Sequence, residues 1–528
     1  MTPEILKEAL HGPEEIALLD VREHGQYGEG HPFYAVNCPY SRLELRIGDL
    51  APRRATLCVL LDDGDGVAER AARRLDALGY SNVTVLQGGA PAWTAAGFPL
   101  FKGVNVPSKT FGELMEAAAH PPTLSAETLH AWQREGRPVH VFDGRPFGEF
   151  HKMSLPGARC VPNGETLHRW HDLVGDPETP VVINCAGRTR GLIGVESLRR
   201  AGVPNPVYAL TNGTQGWALA GLDLVRGSES RALPESDSGA FDPQAVVKGF
   251  PCPTATPEQL AAWQRDEERS CYLFDVRTSS EYDAGHLAGA VHAPAGQLVQ
   301  ATDQWIAVRR ARSVITDTTE SGVRARFAAF WLRRMGHEAY VLQGDAAETL
   351  VSSDMGRTFV PPLPAEVEEV SPETAQRHLS AGRAVAVDLR PSTAFREEAI
   401  PQSRWSIRPR LPGLLRAMLS GGHREVLLVA DDPAVAALAA VDVLEAEGIT
   451  PLLLKGGFRT WRDAGLPVEA RPDEPGQEDA IDFLYFVHDR HDGNAEASRR
   501  YLAWELQLVD QIDDRERGGF SLRPEEPG

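Results

Sequence analysis

The sequence is poor in cysteine and has no long apolar run. Its 528 residues contain six cysteines, and no two of them have the spacing of a zinc-binding pair. Neither a disulfide framework nor a metal site is therefore predicted. No apolar stretch approaches the ~20 residues that cross a bilayer, and the start of the chain lacks the basic and apolar regions of a signal peptide. We expect a protein of the reducing cytoplasm that does not contact a membrane and needs no cofactor.

Positive charge is also scarce. The chain has 54 basic and 74 acidic residues, a formal net charge of −20. This balance argues against nucleic acid or an anionic membrane as a partner. The apolar fraction of 42% is sufficient for a core in each domain. At roughly 150 residues per domain, the length predicts three or four domains.

Internal repeats are the strongest structural signal in the sequence. Four times an apolar strand ends in an Asp that is followed two residues later by an Arg. A second apolar strand ends 42, 42, 42 and 43 residues after that Asp. A third strand follows and ends in a Gly-containing turn, and three of these turns carry a Trp four residues later. The first strands end at Asp20, Asp143, Asp275 and Asp388, and the second strands end at Asp62, Cys185, Asp317 and Asp431.

Each repeat has a helical pattern between its second and third strands. The patterns from Val67 to Leu78 and from Ala434 to Glu447 are each followed by a Gly, as helix C-termini often are. Strands that alternate with helices predict parallel sheets. The predicted fold class is therefore α/β, with four tandem units, each a mainly parallel sheet with helices on both faces. Ligands of such sheets bind beyond the carboxyl ends of the strands.

Cys185 lies at such a carboxyl end. It follows the apolar strand from Val181 to Asn184 and precedes a helical pattern from Gly191 to Ala201. A sulfur there faces free amide N–H groups and the positive end of the helix dipole. Arg188 and Arg190 add positive charge, and all these effects favour the nucleophilic thiolate. We therefore expect Cys185 to act as a nucleophile. Its substrate is expected to contact the residues of the following loop, Ala186, Gly187, Arg188, Thr189 and Arg190.

The repeats resemble the rhodanese-like domain. The third repeat shows the entry motif best, with the segments Asp275–Arg277, Glu281–Tyr282 and Gly285–Leu287 followed by Pro294. Domains of this family carry their active-site cysteine after the second of the strands described above, and Cys185 alone matches that position. The other three repeats have Asp62, Asp317 and Asp431 there, so the resemblance implies that they act as scaffolding or recognition units.

The resemblance also implies a sulfurtransferase. Cys185 would take sulfane sulfur from a small donor, become a persulfide, and pass the sulfur to a thiol or to cyanide. Thiosulfate is the favoured donor because of the two arginines; mercaptopyruvate and a glutathione or protein persulfide remain open. In the family's motif Asp143 and Arg145 would be structural, with Arg145 paired to Glu149.

Two other functions remain as alternatives. One is a phosphatase or arsenate reductase-type loop, but that chemistry needs five residues between Cys and Arg, whereas four lie between Cys185 and Arg190. The other is a non-catalytic scaffold or sulfur carrier in which Cys185 has no enzymatic role.

Domain limits follow from the repeats. The four rhodanese-like domains are expected at 1–102, 120–228, 252–358 and 366–471, and a helical tail at 477–528. Within the tail, Asn494 to Ile512 reads as a helix that is apolar nearly all round. Such a helix should dock on another surface, and a domain face and a homo-oligomer contact are equal alternatives.

Overall fold

The computed structural model describes residues 1–231, 241–319, 322–344, 350–351, 362–446, 448–485 and 494–522. They form four five-stranded sheets, one in each repeat. The long central strands of every sheet pair in parallel, and helices pack against the sheets. This confirms the α/β class. The expected third domain ends at 358 and the expected tail at 528, both of which lie outside the described residues.

The first repeat precedes a helix that we call the linker helix (Val106–Ala119). A strand from the third repeat pairs antiparallel with the first strand of the first repeat's sheet. The sequence did not predict this pairing. The strands are Ile16–Asp20, Val36–Asn37, Leu57–Leu61, Val83–Val85 and the added Val308–Arg309. The helices are Pro3–His11, His24–Glu29, Leu43–Leu50, Val67–Ala77 and Gly89–Ala95.

The second repeat contains Cys185. Its strands, in spatial order, are Thr123–Leu124, Val207–Leu210, Val181–Asn184, His140–Asp143 and Arg159–Cys160. Its helices are Ala126–Arg134, Phe147–Lys152, Glu165–His168, Trp170–Leu173, Thr189–Ala201 and Gly213–Leu219, and Pro243–Gly249 follows. The strand before Cys185 is thus central and buried.

The third and fourth repeats have the same strand order. The third has strands Thr254–Ala255, Cys271–Asp275, Val291–His292, Arg312–Thr316 and Glu338–Leu342, a small pair His286–Leu287 with Leu350–Val351, and helices Pro257–Gln264, Ser279–Ala284, Ala295–Gln300 and Val323–Arg334. The fourth has strands Glu368–Val370, Ala384–Asp388, Arg404–Trp405, Glu425–Val429 and Thr450–Leu454, and helices Pro372–Ser380, Ser392–Glu397, Leu411–Ser420, Pro433–Leu444 and Gly457–Asp463.

The Asp and Arg of each repeat pair with each other. In the second repeat Arg145 donates to Asp143 through Nε at 2.8 Å and through Nη2 at 2.7 Å. The equivalent pairs in the other repeats are Arg22–Asp20, Arg277–Asp275 and Arg390–Asp388. The expected pairing of Arg145 with Glu149 is therefore wrong. The carboxylate two residues away accepts from Nε and Nη2 of the guanidinium, and Glu149 binds Arg190 instead.

One position in the fourth repeat also differs from the expectation. Asp143 pairs in register with Asn184, the residue before Cys185, and Asp388 pairs with Val429. The counterpart of Cys185 is therefore Ala430, and Asp431 lies one residue further on. The true separation is 42 residues in all four repeats, because the extra residue belongs to the loop.

Apolar side chains pack on both faces of the sheets. Adjacent residues of one strand, Leu427 and Leu428, point to opposite faces and belong to two different buried clusters of the fourth repeat. One continuous cluster joins the first three repeats and includes Leu60, Ile183 and Ile315 from their central strands. Those three repeats therefore share a core, whereas the fourth contacts the first through charged residues around Arg408.

The tail docks within the chain. Its helix, which we call the tail helix, spans Ala495–Gln511 and begins at the N-cap Asn494, as expected. The tail helix packs on the linker helix and on the first repeat, and a short helix Asp514–Arg517 follows it. The shared cluster contains Tyr501, Trp504, Leu508, Ile512, Phe33, Phe101, Val106 and Leu114. Within the described residues, no helix is both long and apolar enough to cross a membrane.

Candidate active site

Cys185 lies directly after the central strand Val181–Asn184, at the carboxyl end of its sheet. The next helix begins at Thr189, two residues earlier than expected. The backbone N–H of Gly191, in its first turn, donates to the Cys185 sulfur. The structure thus places the sulfur over a helix N-terminus, where amide donors and the dipole favour negative charge.

Hydrogen bonds hold the backbone of the loop in place. The carbonyl of Cys185 accepts from Thr214 N at 2.8 Å and from Thr214 Oγ1 at 3.0 Å. The carbonyl of Ala186 accepts from the side chain of Gln215 at 3.1 Å. Gly213 lies between these contacts at a φ of +55°, and a Cβ there would come within 2.3 Å of the Cys185 carbonyl oxygen. A rigid loop of this kind keeps the sulfur in one position.

Burial determines the protonation of Cys185. Its side chain is 3% exposed, and this desolvation raises the pKa of the thiol above its ordinary value. The charge of Arg190 and the Gly191 N–H lower the pKa, but Glu505 and Asp143 raise it. The sequence predicted a thiolate from the amide donors, the helix dipole and the two arginines, whereas burial of the sulfur and the nearby carboxylates act on the pKa in the opposite direction.

Both loop arginines form ion pairs. Arg188 binds two carboxylates of the linker helix, Glu113 at 2.8 Å and Glu116. Arg190 binds Glu149 through two contacts of 2.9 and 2.8 Å. These partners were not predictable from local sequence patterns, because those of Arg188 lie 72 and 75 residues away and that of Arg190 lies 41 residues away. The charge that each arginine offers to a substrate is therefore partly balanced.

A cavity of about 260 Å³ lies beside the sulfur. Ala186, Gly187, Arg188, Thr189 and Arg190 all line it together with Cys185, so the structure brings every predicted site residue together. Its walls also come from the linker helix, the third repeat and the tail helix. These further lining residues are Val104, Asn105, Lys109, Glu149, Gln297, Gln300, Ala301, Gln304, Tyr501 and Glu505.

Sequence reasoning missed the contribution of the tail helix. Glu505 is 2% exposed, and its Oε1 accepts a hydrogen bond from the Thr189 hydroxyl at 3.0 Å. A signal was present, because Tyr501, Glu505, Leu508 and Ile512 follow helical spacing. A carboxylate in the middle of an apolar helix face is unusual and points to a specific contact. No comparable signal marked Lys109.

Two other repeats show what the loop can bind. Asp62, the counterpart of Cys185, accepts from the backbone N–H groups of Gly64, Gly66 and Ala68 at 2.9, 3.2 and 2.9 Å. Asp317 accepts in the same way from Thr319, Arg324 and Ala325. The loop of this fold therefore cradles an anionic group at the position that the sulfur occupies in the second repeat.

Cys160 does not adjoin the loop as a resolving thiol would. Its sulfur contacts the carbonyl of Arg145 at 3.5 Å, and burial raises the pKa of Cys160 to about 12. A thiol of this kind is inert. All six cysteines are free.

One group of side chains has the ligand types of a metal site. The ligand atoms of His11, Asp513 and Glu516 lie within 4.8 Å of one another. The Lys7 ammonium, however, binds Asp513 at 2.7 Å and Glu516 at 2.6 Å. A metal ion would have to displace this cation, and the group lies outside the lining of the Cys185 cavity.

Comparisons with known proteins give consistent results. A family model described as rhodanese-like domain matches residues 2–96, 125–220 and 256–348. The crystal structure of thiosulfate sulfurtransferase from Pseudomonas aeruginosa is 39% identical, covers 99% of each chain and has a TM-score of 0.90. No curated protein matches the sequence significantly.

Two matches have the size of one repeat. The Alr3790 protein from Anabaena sp. is 29% identical over 21% of this chain and 86% of its own, with a TM-score of 0.19. A rhodanese-related protein from Thermoplasma volcanium is 22% identical over 20% of this chain and 97% of its own, with a TM-score of 0.18.

Proposed function

Because this chain belongs to the rhodanese-like family, we propose that it is a sulfurtransferase in which Cys185 carries sulfane sulfur as a persulfide. Membership of the family and the 39% identity to a thiosulfate sulfurtransferase support sulfurtransferase activity. Beyond this activity, the proposal specifies three things: the residue that carries the sulfur, the sulfur donor and the sulfur acceptor.

The observation that carries the proposal is the anion cradle around Cys185. The first and third repeats hold a carboxylate in the equivalent loop. In the second repeat a cysteine occupies that position, with the Gly191 N–H directed at its sulfur. A persulfide anion has its charge on the outer sulfur, which would lie further into the same ring of donors. The loop therefore suits Cys185–S–S⁻ better than the bare thiolate.

The reaction proceeds in two steps. Cys185–S⁻ attacks the outer sulfur of thiosulfate; a new S–S bond forms, the old one breaks, and sulfite leaves with the bonding electron pair. The acceptor, a thiol or cyanide, then attacks the outer sulfur of Cys185–S–S⁻ and releases Cys185–S⁻. This ping-pong scheme replaces one difficult transfer by two easier ones. Ala186, Gly187 and Thr189 shape the loop, and Arg188 and Arg190 contact the donor through their charges.

The other proposals follow from the same site. Mercaptopyruvate and thiol persulfides are alternative donors, because the arginines would bind any small anion. The limits 1–102, 120–228, 252–358, 366–471 and 477–528 are proposed as four domains and a tail. The three repeats that have no cysteine at the position of Cys185 would act as support, since they have Asp62, Asp317 and Ala430 there. Six free thiols favour the cytoplasm.

Mass spectrometry after thiosulfate treatment tests the proposal. One sulfur atom should appear on the peptide that contains Cys185, and cyanide should remove it as thiocyanate. Cys185→Ser should abolish both, whereas Cys160→Ser should change neither. Sulfur on another cysteine, with Cys185 unmodified, would show that the assignment is wrong. Hydrolysis of a phosphate ester, lost in Cys185→Ser, would favour the phosphatase alternative.

A further inference from the structure

We propose that Glu505 makes the Cys185 pocket select thiol acceptors that carry an ammonium group, that is, aminothiols, over anionic thiols. The inference rests on the proposed function, because it concerns the second half of that reaction. It assigns the substrate class from a residue of the tail helix.

The carboxylate of Glu505 is only half satisfied. Its Oε1 accepts from Thr189, but its Oε2 is buried and accepts no hydrogen bond in the described part of the chain. Oε2 lies against the Cys185 loop, since a Cβ on Gly187 would come within 2.9 Å of it. A buried charged oxygen without a donor is unfavourable, because burial removes its hydration and no hydrogen bond replaces it. A bound group with an N–H would recover that free energy.

The neighbouring charges of the pocket already have partners. Arg188 is bound by Glu113 and Glu116, and Arg190 by Glu149. Lys109 donates to the carbonyl of Val104 at 2.7 Å and lies over the rings of Tyr501 and Trp504. Glu505, by contrast, forms no ion pair among the described residues. The charge of Arg188 acts on Glu505 from nearby, but Oε2 is still a buried carboxylate oxygen that no donor of the described residues satisfies.

An ammonium group fits this carboxylate best. A charge-assisted hydrogen bond is roughly twice as strong as one between neutral groups, and the burial of Glu505 strengthens it further. A carboxylate on the acceptor would instead be repelled by Glu505. A cavity of about 260 Å³ has room for a small thiol beside the sulfur. We therefore expect kcat/KM to be highest for cationic small thiols, lower for neutral ones and lowest for anionic ones.

The step itself needs no further reactant. The aminothiol sulfur attacks the outer sulfur of Cys185–S–S⁻, the Cys185 S–S bond breaks, and its electron pair returns to Cys185–S⁻. The products are Cys185–S⁻ and the protonated aminothiol persulfide. The thiol proton passes to the outer sulfur, and the ammonium group stays on Glu505 throughout, so atoms, charge and electrons balance.

Three small thiols test the inference on the full-length protein. With thiosulfate as the fixed donor, kcat/KM is measured for cysteamine, 2-mercaptoethanol and mercaptoacetate, each corrected for its thiolate fraction. We expect cysteamine to be preferred over mercaptoacetate. Glu505→Gln keeps an oxygen for Thr189 and should reduce that preference by about 10-fold or more, the ratio that corresponds to ~1.4 kcal/mol. Glu505→Asp should still prefer cysteamine over mercaptoacetate, because it keeps the negative charge.

The matched control is Asp510→Asn, which removes the same charge from an exposed position of the same helix. It should leave the preference unchanged. An equal preference in wild type and Glu505→Gln, with Cys185 still accepting sulfur from thiosulfate, would overturn this inference alone. Failure of Cys185 to accept sulfur in the wild-type protein would overturn the proposed function and this inference with it.

Discussion

The hydroxyl of Thr189 donates a hydrogen bond of 3.0 Å to the carboxylate of Glu505, 316 residues later in the chain. Thr189 is the first residue of the helix after the Cys185 loop, and Glu505 lies on the buried face of the tail helix. This contact joins the Cys185 loop to the tail helix. Access to Cys185 therefore depends on how firmly the tail helix is docked.

The first prediction concerns that access. Thr189→Val should weaken tail docking by ~1–3 kcal/mol, because Glu505 then loses its one donor. Opening of the tail should expose Cys185, so its alkylation by iodoacetamide should become faster than in the wild type. Thr94→Val, which removes a hydroxyl contact to the Ala90 carbonyl in the first repeat, serves as control. Equal alkylation rates in Thr189→Val and wild type would show that the contact does not control access.

The second prediction is the pH dependence of Cys185. Burial raises its pKa, and a raised pKa means less thiolate at neutral pH. Its alkylation rate should therefore continue to rise with pH beyond the ordinary thiol pKa of about 8.5. Glu505→Gln removes a charge that raises this pKa, so the profile should move to lower pH. A profile that levels off near neutral pH would contradict a thiol pKa that burial raises.

The third prediction separates the two arginines. Arg190 lowers the pKa of Cys185 directly, whereas Arg188 is directed to the linker helix. A hydrogen bond to a charged group contributes ~1.5–3 kcal/mol, so Arg190→Ala should lower kcat/KM for thiosulfate by roughly 10- to 150-fold. Arg188→Ala should lower kcat/KM less, because Glu113 and Glu116 already hold its guanidinium, and it should also destabilise the packing of Glu113, whose side chain is 5% exposed. Arg190→Lys is the control that keeps the charge; equal losses in both alanine variants would refute this division.

Local parts of the site were predictable from the sequence. The strand before Cys185, the helix after it and the tail helix all follow from hydrophobic periodicity and capping residues, which are local signals. The partners of the charged residues were not predictable. Glu113, Glu116 and Glu505 reach the loop through packing of distant helices, and no periodicity encodes that packing.

Two sequence-based predictions were wrong, the partner of Arg145 and the counterpart of Cys185 in the fourth repeat. The resemblance to the family's motif assigned Arg145 to Glu149, but Arg145 pairs with its own Asp143 directly after the strand ends. The counterpart of Cys185 was placed at Asp431 because an aspartate fills that position in two other repeats. The strand register selects Ala430 instead, and register depends on pairing across the sheet.

The fourth prediction concerns the contact between the first and fourth repeats. Arg408, 1% exposed on its side chain, binds Glu44 at 2.8 Å and Asp442 at 2.6 Å. Removing the guanidinium leaves two buried carboxylates with Arg74 as their remaining cation, so the cost should lie below the ~3–5 kcal/mol of a fully broken buried pair. Arg408→Met should therefore loosen this interface, seen as faster amide hydrogen exchange in Pro433–Leu444. Arg416→Met, an exposed change in the same repeat, is the control; unchanged exchange in Arg408→Met would show that apolar contacts hold the interface.

The last prediction tests whether the fourth repeat takes part in sulfur transfer. Asp432 caps the helix Pro433–Leu444 by accepting from Ala434 N at 3.0 Å, and Asp431 accepts from Phe458 N at 3.2 Å. Asp432→Ala should reduce local stability by ~0.5–2 kcal/mol, measured by hydrogen exchange of that helix in the full chain. Asp431→Asn keeps an acceptor for Phe458 and should change stability less. Neither substitution should alter thiosulfate turnover, because Ala430 supplies no thiol and the Cys185 cavity is lined by other parts of the chain. A large fall in turnover with the protein still folded would show that sulfur transfer uses more than one repeat.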